Sequence, residues 1–230
     1  MYGNPTVFHR WEVSPKEAIC IQKELAPLVD RSPLERSVHF IAGLDAAFSE
    51  DAGLCFAGAV LWDREKRTVV DERVAVSPLT FPYVPGLLSF REGPALLAAL
   101  NQLGRRPDLL LCDGQGIAHP RRLGIASHLG LVTDLPSIGC AKSRLTGTHT
   151  EPGSMRGNCT PLLGDDEVIG TVLRTRTGVK SVYVSIGHRI DLQTAKELVL
   201  ACCDRYRLPE PIRLADRLVA ATKKRHLGKS

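Results

Sequence analysis

Apolar positions along the chain recur first with helical spacing and then with strand spacing. Ser14-Pro15-Lys16-Glu17 has the form of a capping box with proline at the first helical position, which predicts a helix to about Val29. Three β-rich runs follow at 40–48, 54–63 and 68–77. The short polar connections between them are those of consecutive antiparallel strands. A loop rich in proline and aromatic residues, 78–86, leads to a helix near 91–103 and a short apolar strand at 108–112. That strand runs into Asp113-Gly114-Gln115-Gly116. Beyond it, 121–133 reads as helix, 137–141 as strand, and 167–176 and 181–185 as two further strands. Asp191 caps a helix on which Leu192, Ala195, Val199, Cys202 and Tyr206 share a face. A last helix begins after Pro209-Glu210-Pro211 and runs into Lys223-Lys224-Arg225.

The order βββ-α-β-α-β predicts an α/β fold: a ribonuclease-H-like mixed sheet flanked by helices, in a single domain spanning 1–230. Its ends are an N-terminal helix at about 14–29 and a basic tail at about 223–230. A doubly wound fold is the runner-up, and three hairpin-linked strands at the start argue against it. With 230 residues, 43% hydrophobic and 24% charged, the composition is that of an ordinary globular protein. The net charge of +5 permits a polyanionic partner without establishing one. Seven cysteines, an odd count with no C-x-x-C pair, read as reduced thiols rather than a disulfide framework or a zinc site. The first eleven residues have no apolar signal region and no run is long enough to span a membrane, so a cytoplasmic protein is expected.

Four carboxylates stand out. Asp45 sits in the otherwise apolar run Ile41-Ala42-Gly43-Leu44-Asp45-Ala46-Ala47-Phe48, where an unpaired carboxylate would be costly. Asp113 ends an apolar strand, the place where ligands gather in sheets with parallel strands. Glu92 completes a capping box with Ser89, yet it also begins a helical stripe with Leu96, Leu100 and Leu103 that aims it at the sheet. Asp216 lies beside the stripe Ile212, Ala215 and Val219, flanked by Arg213 and Arg217. Such a set suits a hard divalent cation.

Two long stretches carry a resemblance to a known family: 82–92, Pro-Tyr-Val-Pro-Gly-Leu-Leu-Ser-Phe-Arg-Glu, and 113–121, Asp-Gly-Gln-Gly-Ile-Ala-His-Pro-Arg. With 41–45, 138–143 and 208–216, they resemble the endonuclease V family along nearly the whole chain. That resemblance implies a ribonuclease-H-like nuclease requiring Mg²⁺, with Mn²⁺ as substitute. Its substrate would be DNA containing deoxyinosine or other deaminated bases, cut at the second phosphodiester 3′ to the lesion. It implies Asp45 and Asp113 as principal metal ligands, Glu92 as a third catalytic carboxylate, and Asp216 as a supporting ligand. His119 and Lys142 match positions at the phosphate or the reacting centre.

Pro82, Tyr83, Val84 and Pro85 match the family's wedge, in which two prolines would hold Tyr83 rigid to fill the gap left by a displaced base. Gly86, Leu88, Gly114, Gly124 and Ile125 are the expected base pocket, whose backbone would donate to O6 and accept from N1–H of hypoxanthine. Phosphate contacts are expected from some of Arg91, Arg121, Arg122, Lys142 and Arg144. A monomer is expected. An inosine-specific ribonuclease, a structure-specific nuclease of the same fold and a non-cleaving inosine binder stay open as rivals.

Overall fold

The computed structural model describes residues 9–165 and 167–228. Residues 1–8, part of the N-terminal stretch read for a signal region, and residues 229–230 of the expected tail lie outside the described residues. Helix α1 (Pro15–Leu25) starts where the sequence places it. Ser14 Oγ accepts from the Glu17 N–H, and the Glu17 side chain accepts from the Ser14 N–H.

Strands β1 (Phe40–Ser49), β2 (Leu54–Asp63) and β3 (Thr68–Pro78) form an antiparallel meander. They are followed by α2 (Leu88–Leu100), β4 (Leu109–Cys112), α3 (Ile125–Thr133) and β5 (Ser137–Ala141). Strands β6 (Cys159–Gly164), β7 (Glu167–Leu173) and β8 (Val182–His188) precede α4 (Leu192–Ala201) and α5 (Glu210–Leu227). All eight strands join one sheet in the order β3-β2-β1-β4-β5-β8-β7-β6. The pairs β1–β4 and β4–β5 are parallel, as a ribonuclease-H-like fold requires.

Strand alternation sorts the core into two layers. Ile41, Leu109, Leu111, Ile138 and Cys140 pack with Ala195 and Val199 of α4 and Ile212 of α5. Ala42, Leu44, Leu110 and Cys112 pack on the other face with Leu96 and Leu100 of α2 and Ile125 and Leu129 of α3. No helix among the described residues is long and apolar enough to cross a membrane. None of the seven cysteines is in a disulfide; Cys20 and Cys159 are exposed and the other five buried.

Several boundaries differ from expectation for local reasons. Helix α2 begins at Leu88, so Ser89 lies inside it and caps nothing; its Oγ instead bonds His128 Nδ1 at 2.9 Å. The expected capping box with Glu92 is absent. Helix α3 begins at Ile125 rather than 121, because Arg122 adopts φ +57° and the Gly124 N–H turns back to the Gly116 carbonyl. Strand β6 has no counterpart among the expected elements. Its Pro161 would argue against a central strand, but β6 is an edge strand, where a missing N–H is tolerated. Tyr206 lies beyond α4 and is half exposed, off the stripe assigned to it. Residues 223–227 are not a free tail: they are the last turns of α5, and Lys223 Nζ donates to the Phe48 carbonyl.

Candidate active site

Sheet register brings the first two carboxylates together. The parallel β1–β4 ladder ends on Leu44 opposite Cys112, and the Asp113 N–H donates to the Leu44 carbonyl at 3.1 Å. The next residues, Asp45 and Asp113, therefore stand side by side at the carboxyl end of the pair. Strand β5 runs parallel beside β4 and ends at Ala141, which delivers Lys142 to the same edge. Lys142 Nζ is 2.7 Å from Asp113 Oδ2 and 3.8 Å from Asp216 Oδ1.

Asp216 comes from α5, whose seat on β1 depends on Gly43. A Cβ at Gly43 would lie 2.2 Å from the backbone carbonyl of Pro211. The Asp216 side chain is 51% exposed, at the outer edge of the group. Glu92 is only 7% exposed and arrives on α2. Alternation puts Asp45 and Asp113 on the α5 face, so Glu92 approaches from the opposite layer.

Burial and mutual repulsion set the electrostatics. Burial, reinforced by the charge of Asp113, pushes the Asp45 carboxyl up to about 8, against the opposing pull of Lys142. Glu92 is raised well above the usual range by burial, and then by Asp45 and Asp113. Asp113 is raised too, burial outweighing its hydrogen bond from Lys142. For Lys142, burial works downward, but the bond and charge of Asp113 outweigh it and hold the ammonium above its ordinary value.

Carboxylates that repel each other in this way call for positive charge, and an all-oxygen donor set suits Mg²⁺ or Mn²⁺. Among the described residues no three His, Cys, Asp or Glu side chains form a ready-made metal cage.

Beside this edge opens a cavity of about 360 Å³. Gly86, Leu88, Gly114, Gly124 and Ile125 all line it, with Tyr83, Val84 and Pro85. Asp113 and Lys142 line it as well, joining it to the carboxylates, whereas Pro82, Asp45, Glu92 and Asp216 do not. Gln22, Leu123 and Leu145 also line it without having been singled out in the sequence. Gln22 left one signal: a polar side chain between Ala18 and Leu25 on the buried stripe of α1.

In the 82–85 loop Phe81 and Val84 pack inward with Leu87 and Phe90, while Tyr83 stands 72% exposed. The Arg91 guanidinium lies 5.9 Å from the Tyr83 ring centre and 4.6 Å from that of Phe48. It pairs with Glu50 and donates to the Phe81 carbonyl.

Arg91 is therefore buried support for this loop and not a phosphate contact. Arg121 and Arg122 are likewise engaged within the molecule, Arg121 with Gln22 and Gly86, Arg122 with Glu167, Asp165 and nearby carbonyls at the surface. Of the expected phosphate contacts, Lys142 and the exposed Arg144 remain at the cavity.

His119 also differs from expectation. Its Nε2–H donates to the Gly86 carbonyl at 2.9 Å, and its Nδ1 accepts from the Arg121 N–H at 3.1 Å. Burial holds its pKa down at about 4, so the ring is neutral near pH 7, with both nitrogens engaged by backbone. Both ring nitrogens are thus spent on backbone, and neither is left to meet a phosphate in this structure. The Gly86 carbonyl, taken by His119, Gln22 and Arg121, is not free to accept from a base.

The model of the Endonuclease V family matches residues 23–217. Endonuclease V of Azotobacter vinelandii is 52% identical over 213 residues, 93% of this chain and 96% of that protein. The crystal structure of Endonuclease V from Streptomyces avermitilis superposes with a TM-score of 0.90 at 43% identity, covering 94% of this chain and 96% of that one. Endonuclease V (D234N) of Ciona intestinalis, in complex with a 23mer DNA containing an inosine followed by a ribo-adenosine, gives a TM-score of 0.82 at 27% identity, over 93% of this chain and 99% of that one. With the family model matched across residues 23–217 and a relative about half identical over 93% of the chain, the chain belongs to the Endonuclease V family.

Proposed function

We propose that this chain is a metal-dependent endonuclease that recognises a deaminated base, chiefly deoxyinosine, and hydrolyses the second phosphodiester on its 3′ side. One observation carries the reading: a cavity in the size range of ligand pockets shares Asp113 and Lys142 with a cluster of repelling carboxylates. Asp45 and Asp113 would hold Mg²⁺ or Mn²⁺, with Asp216 supporting from the rim. When bound, the cation supplies charge against the phosphate in the transition state and acidifies an attacking water. Lys142 orients a phosphate oxygen beside Asp113. Glu92, made basic by burial, holds a proton at its carboxylate.

The displaced base occupies the cavity under Tyr83. O6 of hypoxanthine meets backbone N–H groups at the first turn of α3, where Gly124 provides no side-chain cap. The acceptor for N1–H comes from the 114–125 wall, since the Gly86 carbonyl is already bonded three times. The ribo-adenosine beside the inosine in the Ciona intestinalis complex keeps an inosine-specific ribonuclease as the second reading.

The test is cleavage of matched oligonucleotides carrying deoxyinosine, inosine or neither, with Mg²⁺ and with chelator. Cutting confined to the inosine substrates and abolished by chelator is expected. Equal cutting of undamaged duplex would overturn base recognition, and cutting in chelator would overturn the metal site.

A further inference from the structure

We infer that Gln22, a residue outside every motif of the site, is a positioning residue that locks the Tyr83 loop to the wall of the base cavity. Gln22 is 1% exposed, and its side-chain amide is used completely. Nε2 donates to the carbonyls of Gly86 at 2.9 Å and Leu123 at 3.0 Å, while Oε1 accepts from Arg121 Nε at 2.5 Å. Only one orientation of the amide satisfies two acceptors and one donor in this way.

The Gly86 carbonyl also accepts from His119 Nε2 at 2.9 Å and Arg121 Nη2 at 2.8 Å. Gly86 itself holds φ +79°, and a Cβ there would lie 2.8 Å from Arg121 Nη2. Helix α1, the end of the 82–86 loop and the 119–123 turn therefore meet at one buried amide.

Three donors on one carbonyl hold the loop's end more firmly than its own few contacts would. Tyr83 is largely exposed, and between Phe81 and Leu87 only Val84 joins the apolar cluster beneath. A loop fixed at its base costs less ordering when a distorted nucleic acid binds, so the clamp acts on binding and leaves the chemical step alone. This rests on the reading of 82–85 as the element that fills the space of the displaced base.

The test uses Gln22→Met in the full chain, which keeps length and bulk but removes all three bonds. Hydrogen–deuterium exchange of the 83–88 amides is expected to speed up about tenfold or more, with α1 and β1 within about twofold of the parent. KM for inosine duplex should rise about tenfold with kcat within about threefold. Because Gln22 acts through the loop, adding Gln22→Met to Tyr83→Ala should cost no more than about twofold beyond Tyr83→Ala alone.

Unchanged exchange at 83–88 would overturn the clamp. So would acceleration spread equally through α1 and the sheet, which means loosened packing, and so would fully multiplicative losses in the double variant. If Tyr83→Ala alone weakens duplex and single-stranded substrates equally, the wedge reading fails, and exchange at 83–88 still decides whether the clamp exists.

Discussion

Replacing Asp45 with asparagine should stabilise the metal-free protein while removing its chemistry. The carboxyl rises from its ordinary 3.8 to about 8, with burial as the leading cause. A group raised in this way contributes its full stability below its unfolded pKa, and that contribution is lost as pH climbs toward the folded value. The loss accrues at about 1.4 kcal/mol per pH unit, so between 3.8 and pH 7 it reaches about 4 kcal/mol at most. Asparagine has no such dependence.

The assay is urea unfolding of parent and variant in chelator from pH 4 to 8. Their difference should be near zero at pH 4 and should grow to about 2–4 kcal/mol in favour of the variant at pH 7. Subtracting the two curves cancels His119, whose depressed pKa works the other way: its contribution is present above about 6.5 and lost as pH falls toward 4. Millimolar Mn²⁺ should close the gap at pH 7 by binding the parent. A variant less stable than the parent by more than about 1 kcal/mol at pH 7 would mean that Asp45 is a structural partner instead.

Glu92→Gln should melt near or above the parent while cleavage falls by orders of magnitude, measured by calorimetry and single-turnover kinetics; intact activity would remove Glu92 from the chemistry. Tyr83→Ala should weaken binding and slow cleavage more on inosine duplex than on single strands, by about 10-fold against 3-fold, read by filter binding and product formation. Gly43→Ala drives a Cβ into the Pro211 carbonyl, so it should lower stability by about 1–3 kcal/mol and slow cleavage as α5 shifts Asp216, checked by thermal melting and rate together.

Asp45 inside the first apolar strand and Asp113 at the end of a short one were legible as carboxylates in costly places, but the parallel β1–β4 register that sets them side by side was not, because pairing between strands far apart along the chain leaves no local signal. Gly86, Leu88, Gly114, Gly124 and Ile125, picked out for their glycines and motif positions, share the wall of one cavity. What the sequence concealed is how its polar groups are spent. Arg91, Arg121, Arg122 and His119 look like phosphate ligands in one dimension, yet each bonds internally, to partners such as Glu50, Gln22 and Glu167 that lie far away along the chain. The Ser89 capping box failed for the same reason: a distant partner, His128, claimed the hydroxyl. Strand β6 was hidden by Pro161, whose cost disappears only when the strand proves to be an edge.

The metal site and the cleavage position are tested together by single-turnover cleavage of one end-labelled duplex carrying a single deoxyinosine, by the parent and by Asp113→Asn, each with Mg²⁺. The parent should give one product, cut at the second phosphodiester 3′ to the lesion. Asp113→Asn should retain the duplex in a gel shift but cut it about a thousandfold or more slowly, a barrier rise of about 4 kcal/mol. Cleavage by Asp113→Asn within about threefold of the parent would place the reacting metal away from Asp113, the carboxylate that joins the cavity to the cluster.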